Sequence, residues 1–148
     1  MKKIILAVVV TVLAIGGAPA AQANTSITKL VVSANGANEA PNKGIETGTA
    51  SGAFVLNTTK NTICFSNMKT KGLANVFGAH IHLGAWRIDG SIFITFDFTK
   101  FNKSVQTCTK VSHTVLVDIA KHPADYYFNV HTKDFPGGAV RGQLKKST

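Results

Sequence analysis

The sequence predicts an antiparallel all-β fold arranged as a Greek-key sandwich. Apolar segments of strand length are broken by turn residues about every eight to twelve positions, the pattern of a sandwich or barrel. The 148 residues include 13 glycines and 9 phenylalanines, which favours strands and tight turns over a helical bundle. Hydrophobic residues make up 45% of the chain and charged residues 16%, so the chain can bury one core. These figures argue against a coiled coil, a multi-span membrane protein, a collagen-like fibre and a multidomain enzyme.

Seven strands are expected along the chain, each ended by turn residues. The first, at 27–34, ends at Asn35-Gly36. The others are expected at 48–56, 62–68, 75–83, 91–98, 126–132 and 139–144. Residues 114–121 (TVLVDIAK) are left open between one or two helical turns, stopped by Pro123, and a strand, which their valines and isoleucine favour.

The first 23 residues have the pattern of a signal peptide. Lys2 and Lys3 precede an apolar run at 4–15, and Ala21-Gln22-Ala23 supplies the small residues of a cleavage site. The alternative is a membrane anchor, for which the run is short. Cleavage after Ala23 would leave a single secreted or periplasmic domain at 24–148. Removing Lys2 and Lys3 from the 16 basic residues leaves 14 against 7 acidic ones, a net charge of +7.

Two cysteines, Cys64 and Cys108, follow the predicted signal peptide. Two thiols that enter an oxidising compartment usually pair, so a disulfide is expected. The alternative is a pair of metal ligands, but neither cysteine has the spacing of a zinc motif.

Histidines are expected on one face of two strands. By the two-residue period of a strand, His80 and His82 share a face, while Phe77, Ala79, Ile81 and Leu83 lie on the other. The same period puts His131 on a face with Tyr127 and Asn129. A turn at 135–138 then leads to a strand on which Arg141 alternates with Val140.

If these faces coincide, three imidazoles and one guanidinium converge. Imidazole donors in this number suit copper or zinc rather than calcium or magnesium. The alternative is that the histidines are buried, hydrogen-bonded side chains that hold loops together.

Several segments together resemble the CHRD domain, the repeat of chordin that also occurs in stand-alone exported bacterial proteins. The matching segments are 38–41 (NEAP), 48–52 (GTASG), 78–84 (GAHIHLG), 126–132 (YYFNVHT) and 135–144 (FPGGAVRGQL). Ala40 stands where the family more often has Val. The resemblance spans residues 28–145 and implies an immunoglobulin-like, extracytoplasmic domain without an established activity.

The histidine strands are also similar to the copper-binding strands of copper–zinc superoxide dismutases. This similarity implies a dismutase-like sandwich in which His80, His82 and His131 bind copper and Arg141 guides an anion. No histidine occurs between Gly84 and Cys108, so the bridging histidine and the zinc ligands of those enzymes have no counterpart. Dismutase activity is therefore not expected.

Glu39 and the adjacent pair Trp86 and Arg87 are each given two interpretations. Glu39 either completes the metal shell, directly or by holding a ligand imidazole, or anchors its loop to Arg141 or to backbone amides. Trp86 and Arg87 belong either to an exposed recognition loop or to a lid over the end of the sandwich.

Two functions are consistent with these patterns. The first is an exported, non-enzymatic domain whose histidines bind copper, or less favourably zinc. The second is a structural or adhesion module that binds an anionic envelope or matrix polymer, with structural histidines. The lysines are scattered without a stacking platform, so no nucleic-acid partner is expected. No apolar segment after the predicted signal peptide is long enough to span a membrane.

Overall fold

Strands dominate the fold. The structure, a computed structural model, describes residues 26–148, and the predicted signal peptide lies outside the described residues. Within that range one α-helix, α1 (His113–Lys121), accompanies nine strands. These are β1 (Ile27–Asn35), β2 (Thr49–Asn57), β3 (Thr62–Lys71), β4 (Val76–Leu83), β5 (Ile92–Thr95), β6 (Thr107–Lys110), β7 (Tyr126–Thr132), β8 (Phe135–Gln143) and β9 (Lys145–Lys146).

The strands form one continuous hydrogen-bonded path with the order β5-β4-β7-β8-β1-β2-β3-β6, and β9 pairs with β1. All paired strands are antiparallel. The chain crosses between distant parts of this path three times, from β3 to β4, from β5 to β6 and from β6 to β7. The predicted antiparallel Greek-key sandwich is confirmed.

The core lies between two facing layers, β5-β4-β7-β8 and β1-β2-β3-β6. Phe54 on β2 and Phe128 on β7 belong to strands that are not neighbours in the sheet, yet their ring centroids are 5.6 Å apart. Phe65 and Phe101 add an edge-to-face pair at 5.2 Å. The phenylalanine-rich composition thus serves to fill the space between the layers.

Residues 114–121, left open by the sequence, are helical. The Ser112 side chain accepts a hydrogen bond from the backbone amide of Val115 at 3.4 Å and caps α1. Leu116 and Ile119, three residues apart on one helix face, are buried. Burial of one helix face, rather than the β propensity of its valines and isoleucine, decides the conformation of this segment.

The edge strand β6 was not among the predicted strands. It pairs with β3, and Cys64 lies directly opposite Cys108. These two cysteines form a disulfide, as expected. In the described residues no helix is long and apolar enough to cross a membrane.

The predicted turn at 135–138 is wrong. The chain reverses at Lys133 and Asp134, and residues 135–138 already belong to β8. Val130 pairs with Val140 and Thr132 with Phe135, so the four residues 136–139 stand opposite His131 alone. The proline and glycines form a bulge in the strand, where a missing amide proton is tolerated.

The predicted alternation of β4 is wrong at its beginning. A register shift between Val76 and Gly78 inserts Phe77 as an extra residue. Val76 therefore packs against the core, and Phe77 is half-exposed. Beyond the bulge the alternation holds, because Ala79 and Ile81 are buried in the core opposite the histidine face.

Candidate metal centre

The structure brings His80, His82 and His131 together. β4 and β7 are neighbours, with Gly78 opposite His131 and His80 opposite Asn129. The ring centroid of His131 lies 4.8 Å from that of His80 and 5.6 Å from that of His82. One nitrogen from each ring lies within 4.8 Å of the other two. The expected convergence of the three imidazoles is present.

Backbone carbonyls fix the protonation of two of these rings. Nδ1 of His82 lies 2.9 Å from the Gly90 carbonyl oxygen, and Nδ1 of His131 lies 3.0 Å from that of Pro136. Because a carbonyl oxygen only accepts, each Nδ1 carries the proton and donates it. Each Nε2 is left with a free lone pair. A metal-ligating imidazole normally has this arrangement.

The free nitrogens are buried without partners. Four buried side-chain polar atoms between residues 26 and 148 lack a hydrogen bond, and three of them are His80 Nδ1, His82 Nε2 and His131 Nε2. An unpaired buried polar atom costs about 1–3 kcal/mol. These three atoms belong one to each ring of the cluster, and a ligand bound there would supply the missing bonds.

The imidazoles are held in their neutral form. Burial, together with the neighbouring His131 and His82, lowers the pKa of His80 to about 4. Burial also lowers the pKa values of His82 and His131, against the opposing effect of their carbonyl hydrogen bonds. All three pKa values therefore lie below the ordinary histidine value of 6.5, so at neutral pH the site presents the lone pairs that a metal requires.

Neighbouring residues shape the space around the rings. A Cβ on Gly78 would lie 3.0 Å from Cε1 of His80, so glycine makes room for that imidazole. Tyr127 stacks on His82, with ring centroids 4.8 Å apart and planes 10° apart. Phe77, displaced by the bulge, lies 6.2 Å from His131 between ring centroids.

Arg141 lies on the same side of the sheet, and its guanidinium is buried and hydrogen-bonded within the protein. It is 1% exposed, and its Nη2 donates to the carbonyls of Ala85 at 2.7 Å and Ile88 at 3.0 Å. Its guanidinium carbon sits 3.5 Å above the centre of the Tyr127 ring. Arg141 thereby holds the loop at 84–91, which supplies the Gly90 carbonyl to His82.

Glu39 is buried beside the cluster and contacts Asn129 rather than an imidazole. Asn129 Nδ2 donates to both carboxylate oxygens, at 3.0 and 3.1 Å. Burial raises the pKa of Glu39 to about 7, although the Asn129 hydrogen bond and the charge of Arg141 oppose the rise. The second nitrogens of His82 and His131 are taken by backbone carbonyls, so Glu39 does not orient those two rings.

Sequence patterns did not single out the residues that support the site. The Gly90 and Pro136 carbonyls, the Asn129 amide and the Tyr127 ring were not predicted to have roles. Strand alternation had already put Tyr127 and Asn129 on the face of His131, which was the one available signal. The remaining two histidines in the described residues lie elsewhere, His113 against the Thr58 carbonyl and His122 against Asp118.

The fold and the site define an all-β sandwich domain with a buried cluster of three neutral imidazoles. The family model of the CHRD domain matches residues 30–144, and the chain belongs to the CHRD family. Its disulfide and its CHRD domain both fit an extracytoplasmic protein.

Comparisons with curated proteins and with solved structures found no match. The fainter similarity to superoxide dismutase strands therefore has no support from them.

Proposed function

We propose that this CHRD-domain protein is exported and binds one copper ion through His80, His82 and His131, without catalysing a reaction. The observation that carries the proposal is the set of three buried imidazole nitrogens, one from each ring, that have no hydrogen-bond partner. A bound cation would satisfy all three at once.

The donor set favours copper. Three neutral nitrogen ligands suit copper, zinc or nickel, and the affinity order of divalent metals puts Cu²⁺ highest. No carboxylate or thiolate belongs to the described cluster, and both cysteines are in the disulfide. Oxygen-preferring Ca²⁺ and Mg²⁺ are disfavoured, and zinc is the second choice.

Titration calorimetry of Cu²⁺ into the untagged full chain tests the proposal. We expect one equivalent to bind tightly and each of His80→Ala, His82→Ala and His131→Ala to weaken binding at least tenfold. His113→Ala is the matched control, because it removes an exposed histidine outside the cluster and should leave the affinity unchanged.

Folding of each variant is checked by circular dichroism, and a second measurement covers a variant that does not fold. Copper should raise the melting temperature of the wild-type chain, since a ligand that binds only the folded state stabilises it. Weak binding that is equal in the wild type and all four variants, or no stabilisation, would overturn the proposal.

The pH dependence of binding follows from the lowered pKa values. Because His80 stays neutral down to about pH 4, copper binding should persist below the ordinary histidine pKa of 6.5 and weaken only in more acidic solution. Loss of binding already between pH 7 and pH 6.5 would show that the imidazoles titrate as exposed groups do.

The structural alternative is favoured by one specific observation. The hydrogen bonds of His82 and His131 to the Gly90 and Pro136 carbonyls tie two loops to the sheet. In this second candidate function the domain binds an anionic polymer through its positive charge. Without Lys2 and Lys3, 14 of the 16 basic residues remain against 7 acidic ones. The copper titration separates the two candidate functions, because only the first requires the free nitrogens to bind metal.

A further inference from the structure

The exposed apolar side chains of the hairpin at residues 83–93 have no role in the metal site, to which this hairpin contributes only the Gly90 carbonyl. The hairpin comprises the end of β4, the loop at 84–91 and the start of β5. Nine large hydrophobic side chains are exposed in the described residues, and five of them lie in this segment: Leu83, Trp86, Ile88, Ile92 and Phe93. Trp86, Ile88 and Ile92 are each more than half exposed. Such a concentration of exposed apolar side chains marks an interaction surface.

The backbone of this hairpin is hydrogen-bonded from the protein side. Arg141 donates to the carbonyls of Ala85 and Ile88, and Gln143 Nε2 donates to that of Gly84 at 2.9 Å. Both groups of Gly90 are also engaged: its amide donates to the Tyr127 hydroxyl at 3.2 Å, and its carbonyl accepts from His82. The hairpin therefore directs apolar side chains outward while much of its polar backbone is already paired. A segment that enters a lipid interface needs this property.

Basic side chains border the hairpin. Arg87 lies within it, and Lys145 lines a groove of about 420 Å³ together with Trp86. Lys121 lines a second groove with Phe93, where Asp118 is the acidic neighbour and accepts hydrogen bonds from Tyr126 and His122. Asp89 is the one acidic residue at 83–93, and its carboxylate accepts a hydrogen bond from Tyr127 at 3.3 Å. Exposed Trp and aliphatic side chains beside Lys and Arg are characteristic of surfaces that adsorb to anionic bilayers.

We propose that the hairpin at 83–93 docks this domain onto the surface of a bilayer that contains anionic lipids, without crossing it. Isoleucine side chains offer nothing to the hydroxyl groups of a sugar polymer, whereas they partition into a lipid interface together with tryptophan. The proposal does not depend on the metal centre.

Trp86 is the single tryptophan of the chain, so its fluorescence reports on the hairpin itself. The metal-free full chain is mixed with vesicles of phosphatidylcholine alone, or of phosphatidylcholine and phosphatidylglycerol in equal parts. With the anionic vesicles we expect a blue shift of the emission, quenching by lipids brominated on their acyl chains, and weakening in high salt.

Variants distinguish the hairpin from the rest of the protein. The double variant Ile88→Ser, Ile92→Ser should bind anionic vesicles at least tenfold more weakly, and it should still fold because both side chains are exposed. Val105→Ser, which changes an exposed apolar residue outside the hairpin, is the matched control and should bind as the wild type does. All these chains carry the same residues 1–25, so a difference in affinity belongs to the hairpin.

Three results would overturn the proposal. The first is an emission spectrum that anionic vesicles leave unchanged, and the second is equal binding by the double variant and the wild type. The third is a spectral change with a soluble acidic polysaccharide such as alginate but not with vesicles, which would assign Trp86 to a glycan site.

Discussion

Gly138 is predicted to be hard to replace, and it lies near the metal centre. Its φ of +145° lies in the region that side chains rarely adopt. A Cβ at this position would lie 1.5 Å from Oε2 of Glu39 and 2.9 Å from Nδ2 of Asn129. Gly138→Ala must therefore strain the backbone and also displace the buried carboxyl from its amide partner.

The expected loss can be divided into two parts. The unfavourable φ costs about 1–3 kcal/mol. Displacing Glu39 breaks its buried hydrogen bonds to Asn129, which costs about another 1–3 kcal/mol. We expect Gly138→Ala to lower the free energy of unfolding by about 4 kcal/mol, a large share of the stability of a domain of this size.

Urea unfolding followed by circular dichroism measures this loss. Gly137→Ala is the neighbouring control, because a Cβ there would have no atom within 4 Å, and it should cost less than about 1 kcal/mol. In a Glu39→Ala background, Gly138→Ala should cost only the backbone part. If Gly138→Ala were within about 1 kcal/mol of the wild type, the steric reasoning would be refuted.

Two other predictions concern the disulfide and Glu39. The Cys64–Cys108 bond closes a loop with a sequence separation of 44, so the double variant to Ala should lose about 4 kcal/mol of unfolding free energy in the chain-entropy model. Two free thiols in native protein, measured with a thiol reagent, would contradict the bond. Burial raises the pKa of Glu39 from 4.5 to about 7, so the unfolded chain gives up this proton at lower pH than the folded one. This group therefore makes the protein less stable as pH rises from about 4.5 through 7, and Glu39→Gln should gain stability relative to the wild type over that range. The neighbouring imidazoles have lowered pKa values, which act in the opposite direction, but they are common to both proteins. If the difference in unfolding free energy between the wild type and Glu39→Gln did not change with pH, the raised pKa of Glu39 would be disproved.

The histidine cluster was predictable because a strand has a strict two-residue period. His80 and His82 had to share a face wherever β4 lay, and His131 had to share one with Tyr127 and Asn129. Their convergence required in addition that β4 and β7 be neighbours, and the structure shows this pairing. Alternation failed where the strand itself was irregular, at the bulges of Phe77 and of residues 136–139.

The all-β class, the cysteine pair and the histidine face could be predicted from the amino acids, because each depends on residue type and local period. Which lone pairs are free depends instead on how the segments pack in three dimensions. The Gly90 and Pro136 carbonyls reach His82 and His131 from a loop and a bulge whose paths depend on distant contacts, among them the hold of Arg141 on residues 84–91. The tertiary structure also decided that Glu39 meets Asn129, 90 residues away along the chain. Backbone carbonyls carry no sequence signature, and burial depends on which segments pack over a residue, so neither could be derived from the order of amino acids.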